Sequence, residues 1–395
     1  MKPLVRVLIV TDDGLANGGF LQWGAQALAD ATGPNSREFH LGEFLSVLGG
    51  TSWQGFNVEI TKAHRSPAGT GGLNEAQLKA DRGADVVGFH FDQPFTVNGT
   101  ARTLADFDMV LFFSVDPSNG DPTLASEAEA IAQFMENGGG FFATGDHANL
   151  GGELCSQIPR VRSMRRWYYT GDLTQDSPPG PDGEPPAPPA LGPHRHDTTR
   201  PGLDGVGQFE DQSDEVPQEI HPTMYGAGIT VKSGYPAYRS LPHPLLCSPD
   251  GIVRFLPDHM HEGTCEVPDN LAARTFTLAG GTVREYPDYV PASPPPGYVA
   301  SPLAPEIVAT GDVLAGTTSP ALDPSDHTGS SDPADAVNFG VINAWDGHRV
   351  GKGRVVVDST WHHFFNINLT GDRYLEKISL PAAQQQKLHG FYVPD

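Results

Sequence analysis

The chain has 395 residues and a formal net charge of −23, which argues against a protein that grips nucleic acid, because affinity for phosphate backbones rests on clustered Lys and Arg. Its 46 Gly and 36 Pro predict a surface rich in turns around either one core with large excursions or two domains. No stretch approaches the roughly 20 apolar residues of a membrane helix, and three cysteines without CxxC spacing argue against a disulfide framework, so the expected setting is the cytoplasm.

MKPLVRVLIVTDDG opens the chain with an apolar run cut by Arg6, too short for a secretory h-region. VRVLIV (5–10) predicts a strand buried on both faces. Residues 20–31 and 41–49 carry short helix patterns, and FNVEIT (56–61) alternates as a strand does. DMVLFFSV, within 103–116, is another buried strand. In SEAEAIAQFMENGGG (126–140), Ser126 can cap a helix, with Glu129 three residues on. Ala128, Ile131, Ala132 and Met135 form its apolar stripe, and the glycines stop it. FFAT (141–144) follows as a strand. This alternation predicts an α/β fold with a mostly parallel sheet and right-handed crossovers.

Residues 176–204 are Pro-rich enough to be a loop with polyproline II stretches. Short β-like pieces (GITVKS, GIVRFLP, RTFTLAGG) lie between 220 and 290, and 287–336 is again dense in Pro, Ser and Asp. VNFGVINAW (337–345) and GRVVVDST (353–360) restore regular structure. The predicted division is a first core part over 1–152, a Pro/Gly-rich insertion and cap over 153–336, and a return to the core over 337–395.

Four polar sets follow strand-like runs: Asp12 and Asp13; Asp146 and His147; His259, His261 and Glu262; His362 and His363. In open α/β sheets ligands gather beyond the carboxyl ends of the strands, so parallel neighbours would bring these sets to one rim. In an extended HMHEG segment, His259 and His261 point to one side and can offer two imidazoles to a divalent metal. Glu262 or Asp258 would then orient a ring or bind water; the alternative is a solvated turn. Asp12 and Asp13 either bind metal or cap the following helix. HRHD (194–197) has similar spacing inside the Pro-rich excursion and reads as loop or lid. Trp361 either stacks on a ring substrate or packs in the core. Arg160, Arg162, Arg165 and Arg166 can grip a carboxylate or phosphate, or form salt bridges to acidic neighbours.

DFDMVLFF, EAEAIAQFMENGGG, FFATGDHANLGG and GRVVVDSTWHH together resemble the class I glutamine amidotransferase-like superfamily, and within it the trehalose-utilisation (ThuA-like) proteins. The resemblance covers about a third of the chain and implies a flavodoxin-like three-layer sandwich. Amidotransferase members carry a cysteine nucleophile at the turn matching GDHANLG, which has none here; Cys155 with His261 and Glu262 is the only thiol triad left to consider. The ThuA-like branch implies a His-bearing elbow, a possible metal and a sugar-like ligand.

The leading expectation is a metal-dependent hydrolase. Asp146, His147, His259 and His261 would hold Zn²⁺, Mn²⁺ or Fe²⁺, whose bound water is the nucleophile. Glu262, His362 or Asp12 would serve as catalytic acid or base. Asn149, Arg162, Trp361 and His363 would contact a small polar substrate, the Arg cluster favouring an anionic group. Two other readings stand beside it: acid–base chemistry on a keto-sugar by His and Asp, and a binding module with Trp345 and Trp361 in its recognition surface. No GxGxxG follows VRVLIV, so a dinucleotide is not indicated.

Overall fold

The computed structural model describes residues 3–11, 41–50, 55–65, 74–76, 79, 83–114, 124–145, 152–167, 218–230, 236–248, 251–257, 264–313, 337–359, 361–364 and 369. β1 is Leu4–Thr11, α1 Gly42–Gly50, β2 Asn57–His64 and β3 Val86–Val87. β4 (Met109–Ser114), α2 (Leu124–Glu136) and β5 (Gly140–Gly145) follow. Next come α3 (Gly152–Cys155), α4 (Val161–Met164) and β6 (Arg165–Arg166). The later strands are β7 (Gln218–Pro222), β8 (Phe255–Leu256), β9 (Thr264–Cys265), β10 (Glu306–Val313), β11 (Val337–Trp345) and β12 (Val355–Asp358).

These twelve strands form one mixed sheet in the order β8-β7-β10-β11-β12-β5-β4-β1-β2-β3, with β9 pairing β11 and β6 off that path. β3, β2, β1, β4, β5 and β12 are parallel, and β11, β10, β7 and β8 continue the sheet antiparallel. The parallel strands are near-continuous apolar runs because both faces are buried. Leu8, Val10, Val110, Phe112, Phe141 and Val357 face one core, which α2 covers with Ala128, Ile131 and Met135. Val7, Ile9, Leu111, Phe113 and Phe142 face the other, where α1 lays Phe44, Leu45 and Leu48. Each such side chain, fully buried, contributes about 1.5–3 kcal/mol.

One expectation needs correction. Ser126 does not cap α2, which begins at Leu124; its hydroxyl donates instead to Asp92 Oδ2 at 2.6 Å. Within 153–336, the strands β6 to β10 join the central sheet. Between β5 and α2, the chain turns through Gly138 at φ +100°. Gly353 passes so close to that turn that a Cβ there would lie 1.7 Å from the Gly139 carbonyl oxygen. No helix among the described residues is long and apolar enough to cross a membrane.

Buried arginines bolt the 270–290 region to the core. Arg160, at φ +70°, donates its backbone N–H to Glu285 Oε2 and its Nε to the Glu285 carbonyl, both at 2.8 Å. Its guanidinium also pairs with Glu136 and lies 4.4 Å over the Trp345 ring. Arg162 Nε donates to Glu285 Oε1 at 2.8 Å and its Nη2 to the Thr275 carbonyl at 3.0 Å. Glu285 is fully buried, so Glu285→Gln removes the charge that pairs with the Arg162 guanidinium. It should lower unfolding free energy by about 3 kcal/mol, read as a fall in urea midpoint.

His243 accepts from Leu245 N–H at 3.3 Å through Nδ1, capping the 3₁₀ turn Pro244–Leu246. Burial is the main reason its pKa falls below the ordinary value. Because the folded value is the lower one, this group's contribution is complete above the unfolded value of about 6.5 and is lost as pH falls through the folded value. Hydrogen exchange at the Leu245 amide should therefore accelerate, relative to intrinsic rates, on acidification below neutrality. In His243→Asn, which caps without titrating in that range, the acceleration should vanish.

Candidate functional site

The carboxyl edge of the parallel strands is where the site forms. Thr11 is level with His64 on one side and Phe113 on the other, and Phe113 is level with Thr144. One step past the Val357–Ala143 pair brings Asp358 level with Thr144. Residues level across a parallel sheet project to the same face about 4.8 Å apart. One row therefore reads His64, Thr11, Phe113, Thr144, Asp358. It caps the face built from Val7, Ile9, Leu111 and Phe142.

At the end of this row Asp358 meets His363. Oδ2 of Asp358 and Nε2 of His363 are 2.8 Å apart, with the aspartate 3% and the histidine 7% exposed. The turn His362–Phe364 delivers the ring, and Phe364 anchors that turn by packing edge-on against Phe44 and Phe113. A carboxylate accepts, so the geometry suits a neutral imidazole that donates from Nε2. That leaves Nδ1 as an acceptor. Nδ1 of His363, Oδ1 of Asp358 and the hydroxyls of Thr11 and Thr144 are buried and have no partner among the described residues. Asp358 and His363 also form part of the wall of a cavity of about 1400 Å³, lined on this face by Val7, Phe44, Phe142 and Val356. A histidine oriented by a carboxylate, with its other nitrogen uncommitted beside a cavity, is the arrangement a general base needs.

Behind the pair stands Arg165, whose Nη1 donates to the Asp358 carbonyl at 2.7 Å. Cys265 fills the space between β11 and β12, its thiol directed to the Val341 carbonyl at 3.2 Å.

A second polar group lies off α2. His90, Asp92 and Glu127 place one ligand atom each within 4.8 Å of one another. Glu127 is fully buried, pairs with Arg65 and accepts from Phe91 N–H at 2.9 Å. Asp92 takes the Ser126 hydroxyl. A divalent cation there would have to share Glu127 with a guanidinium, so the donor set fits an ion-pair hub better than a metal centre.

Of the predicted site residues, Asp12, Asp146, His147, Asn149, His259, His261 and Glu262 lie outside the described residues, and so does the side chain of His362. β1 and β5 do end, side by side with β4 between them, at Thr11 and Gly145, the residues that precede Asp12 and Asp146 in the chain. The run before His259 is different. It forms two short pieces, Gly251–Ile252 and Phe255–Leu256, the latter at the far antiparallel edge of the sheet.

Three expectations about side chains are corrected. Arg162 is held by Glu285 and does not present its guanidinium to an anionic substrate. Trp361, at 1% exposure, packs in the core with Val7, Ile9 and Phe142 rather than offering a stacking face. Trp345 is likewise buried, its indole N–H donating to the Leu303 carbonyl at 2.8 Å. The thiol alternative loses ground too, since Cys155 is fully buried among Leu154, Ile158 and Val161. His363, expected to touch substrate, instead acquires a carboxylate partner that the sequence reading had not assigned. The signal was present as Asp358 five residues before His363, but only the turn brings the two together.

Comparison with protein-family models, with curated proteins and with solved structures gave no match.

Replacing Asp358 with Asn should keep the shape but lose the charged acceptor. The charge-assisted bond then weakens, costing about 2 kcal/mol, measurable as a lower denaturation midpoint at neutral pH.

Proposed function

We propose that this protein is a hydrolase whose reaction takes place at the carboxyl edge of a flavodoxin-like α/β core, with Asp358 and His363 as its proton-handling pair. The carrying observation is the Asp358–His363 hydrogen bond at a strand end, next to a cavity, with Nδ1 uncommitted. The strand order β2-β1-β4-β5-β12 supports the flavodoxin-like assignment, because it reverses between β1 and β4, where ligands of such sheets bind.

In this reading Nδ1 of His363 takes a proton from the attacking water and returns it to the leaving group. Asp358 holds the ring in the required tautomer and stabilises the imidazolium that forms. The Thr144 hydroxyl, one strand away and without a partner among the described residues, would hydrogen-bond a polar substrate atom. A divalent cation, Zn²⁺, Mn²⁺ or Fe²⁺, held through Asp146 and His147, would supply a water of lowered pKa. The internal pairing of Arg160 and Arg162 turns the substrate preference away from anions and toward small neutral polar molecules.

The test combines elemental analysis of freshly purified protein with a panel of esters, amides and glycosides. Wild type should carry about one equivalent of metal per chain and hydrolyse a member of the panel. His147→Ala should lose the metal. His363→Gln should keep it while kcat falls by about 10²–10⁴. A His363→Gln protein with undiminished turnover would remove the pair from the mechanism, and a fully active metal-free wild type would remove the cation.

A further inference from the structure

Arg165 is a buried cation close to the end of β12. It opens β6 in extended conformation, at φ −143° and ψ 149°, and is 2% exposed. Neighbouring arginines 160 and 162 meet carboxylates. Arg165 directs Nη1 to the backbone carbonyl of Asp358 at 2.7 Å, with its guanidinium 4.4 Å over the Trp167 ring. Its backbone is tied to the same place, because Arg165 is level with Cys265 across β6 and β9. Cys265 in turn lies against Gly340 of β11 and directs its thiol to the Val341 and Val357 carbonyls. Main chain and side chain thus converge on the last residues of β12. A planar guanidinium resting on an aromatic ring has fewer orientations than an ammonium, so it fixes its acceptor in direction as well as distance.

We propose that Arg165 is a positioning residue for the Asp358–His363 pair: by clamping the Asp358 carbonyl it aims Oδ2 at Nε2 of His363, which keeps the proton on Nε2 and leaves Nδ1 as the working nitrogen. This rests on the functional reading above, in which His363 Nδ1 accepts the proton. The clamp acts where β12 ends and the 361–364 turn begins. There Asp358 is the last residue of β12 to pair with β11, opposite Ile342, and the clamp adds a side-chain bond to that final rung. A strand end that can twist would let the carboxylate leave the ring, and an unpartnered imidazole populates both tautomers.

The tautomer of His363 is a direct readout that needs no substrate. Isotope-labelled histidine, assigned by the signal missing in His363→Gln, should show one Nε2–H form in the wild type at alkaline pH. Arg165→Met should convert it to a mixture of both tautomers, and Arg165→Lys, which keeps the charge and one donor without the stacked plane, should give an intermediate ratio. A wild-type tautomer in both variants, with only the melting temperature lowered, would overturn the proposal and reduce Arg165 to packing. Should Arg165→Met fail to fold, Arg165→Lys decides by the same signal. Asp358→Asn separates the two levels: if the His363 signal ignores the loss of that carboxylate, the pair itself is not operating and the functional reading fails, whatever Arg165 does.

Discussion

The pairing of β12 with β5 is the interaction on which the rest of the structure depends. Val355, Val356 and Val357 lie level with Phe141, Phe142 and Ala143, joining segments more than 200 residues apart. On its other side β12 pairs antiparallel with β11. The same short strand therefore closes the parallel part of the sheet and begins the antiparallel part. The register is set at the amino end, where Gly353 lies against the Gly138–Gly140 turn and its N–H reaches the Met135 carbonyl at 2.7 Å. A slip of one residue would turn Val355 and Val357 out of the first core and move Asp358 to the wrong face.

Everything chemical at the carboxyl edge follows from that register. Asp358 reaches the row of Thr11 and Thr144 only because three parallel pairings are in step. The aromatic packing of Phe364 then brings His363 back over the strand end. The result is a small polar row on an otherwise apolar face, where hydrogen bonds act in a low-dielectric setting and unpartnered polar groups are costly. The charge balance of the chain fits the same division: the basic cluster of 160–165 is used inside the protein, on Glu136, Glu285 and the Asp358 carbonyl, so the net acidity is not offset by an exposed anion-binding patch of those arginines.

The parallel strands were readable as sequence because apolar runs such as VRVLIV, MVLFFS and GFFATG are buried on both faces and say so by composition. α2 was readable from its stripe, although its start was not, since Ser126 looks like a cap and is in fact drawn to Asp92. β10 was missed. EIVATGDV lies between Pro-, Ser- and Asp-rich flanks, and its partners β7 and β11 come from distant parts of the chain. Among site residues, the arginine cluster shows why composition misleads: Arg162 has the chemistry to grip a substrate anion, and its neighbour in space, Glu285, is 123 residues away. Trp361 beside two histidines fits either a stacking platform or core packing by sequence, and its indole fills the second core.

Sequence by itself determined the element types, the direction of the chain's punctuation and the fact that acids and histidines cluster after strand-like runs. These properties are local: periodicity, turn residues and apolar runs act within a dozen residues. Only the tertiary structure decided which strand ends meet and which polar groups already have partners inside the protein. Asp358 and His363 became a pair, Arg160 and Arg162 became braces, and the run before His259 went to the far edge of the sheet. The reason is physical. Strand order and register are set by pairings between segments remote in sequence, and a buried charge takes whichever opposite charge the packing brings to it.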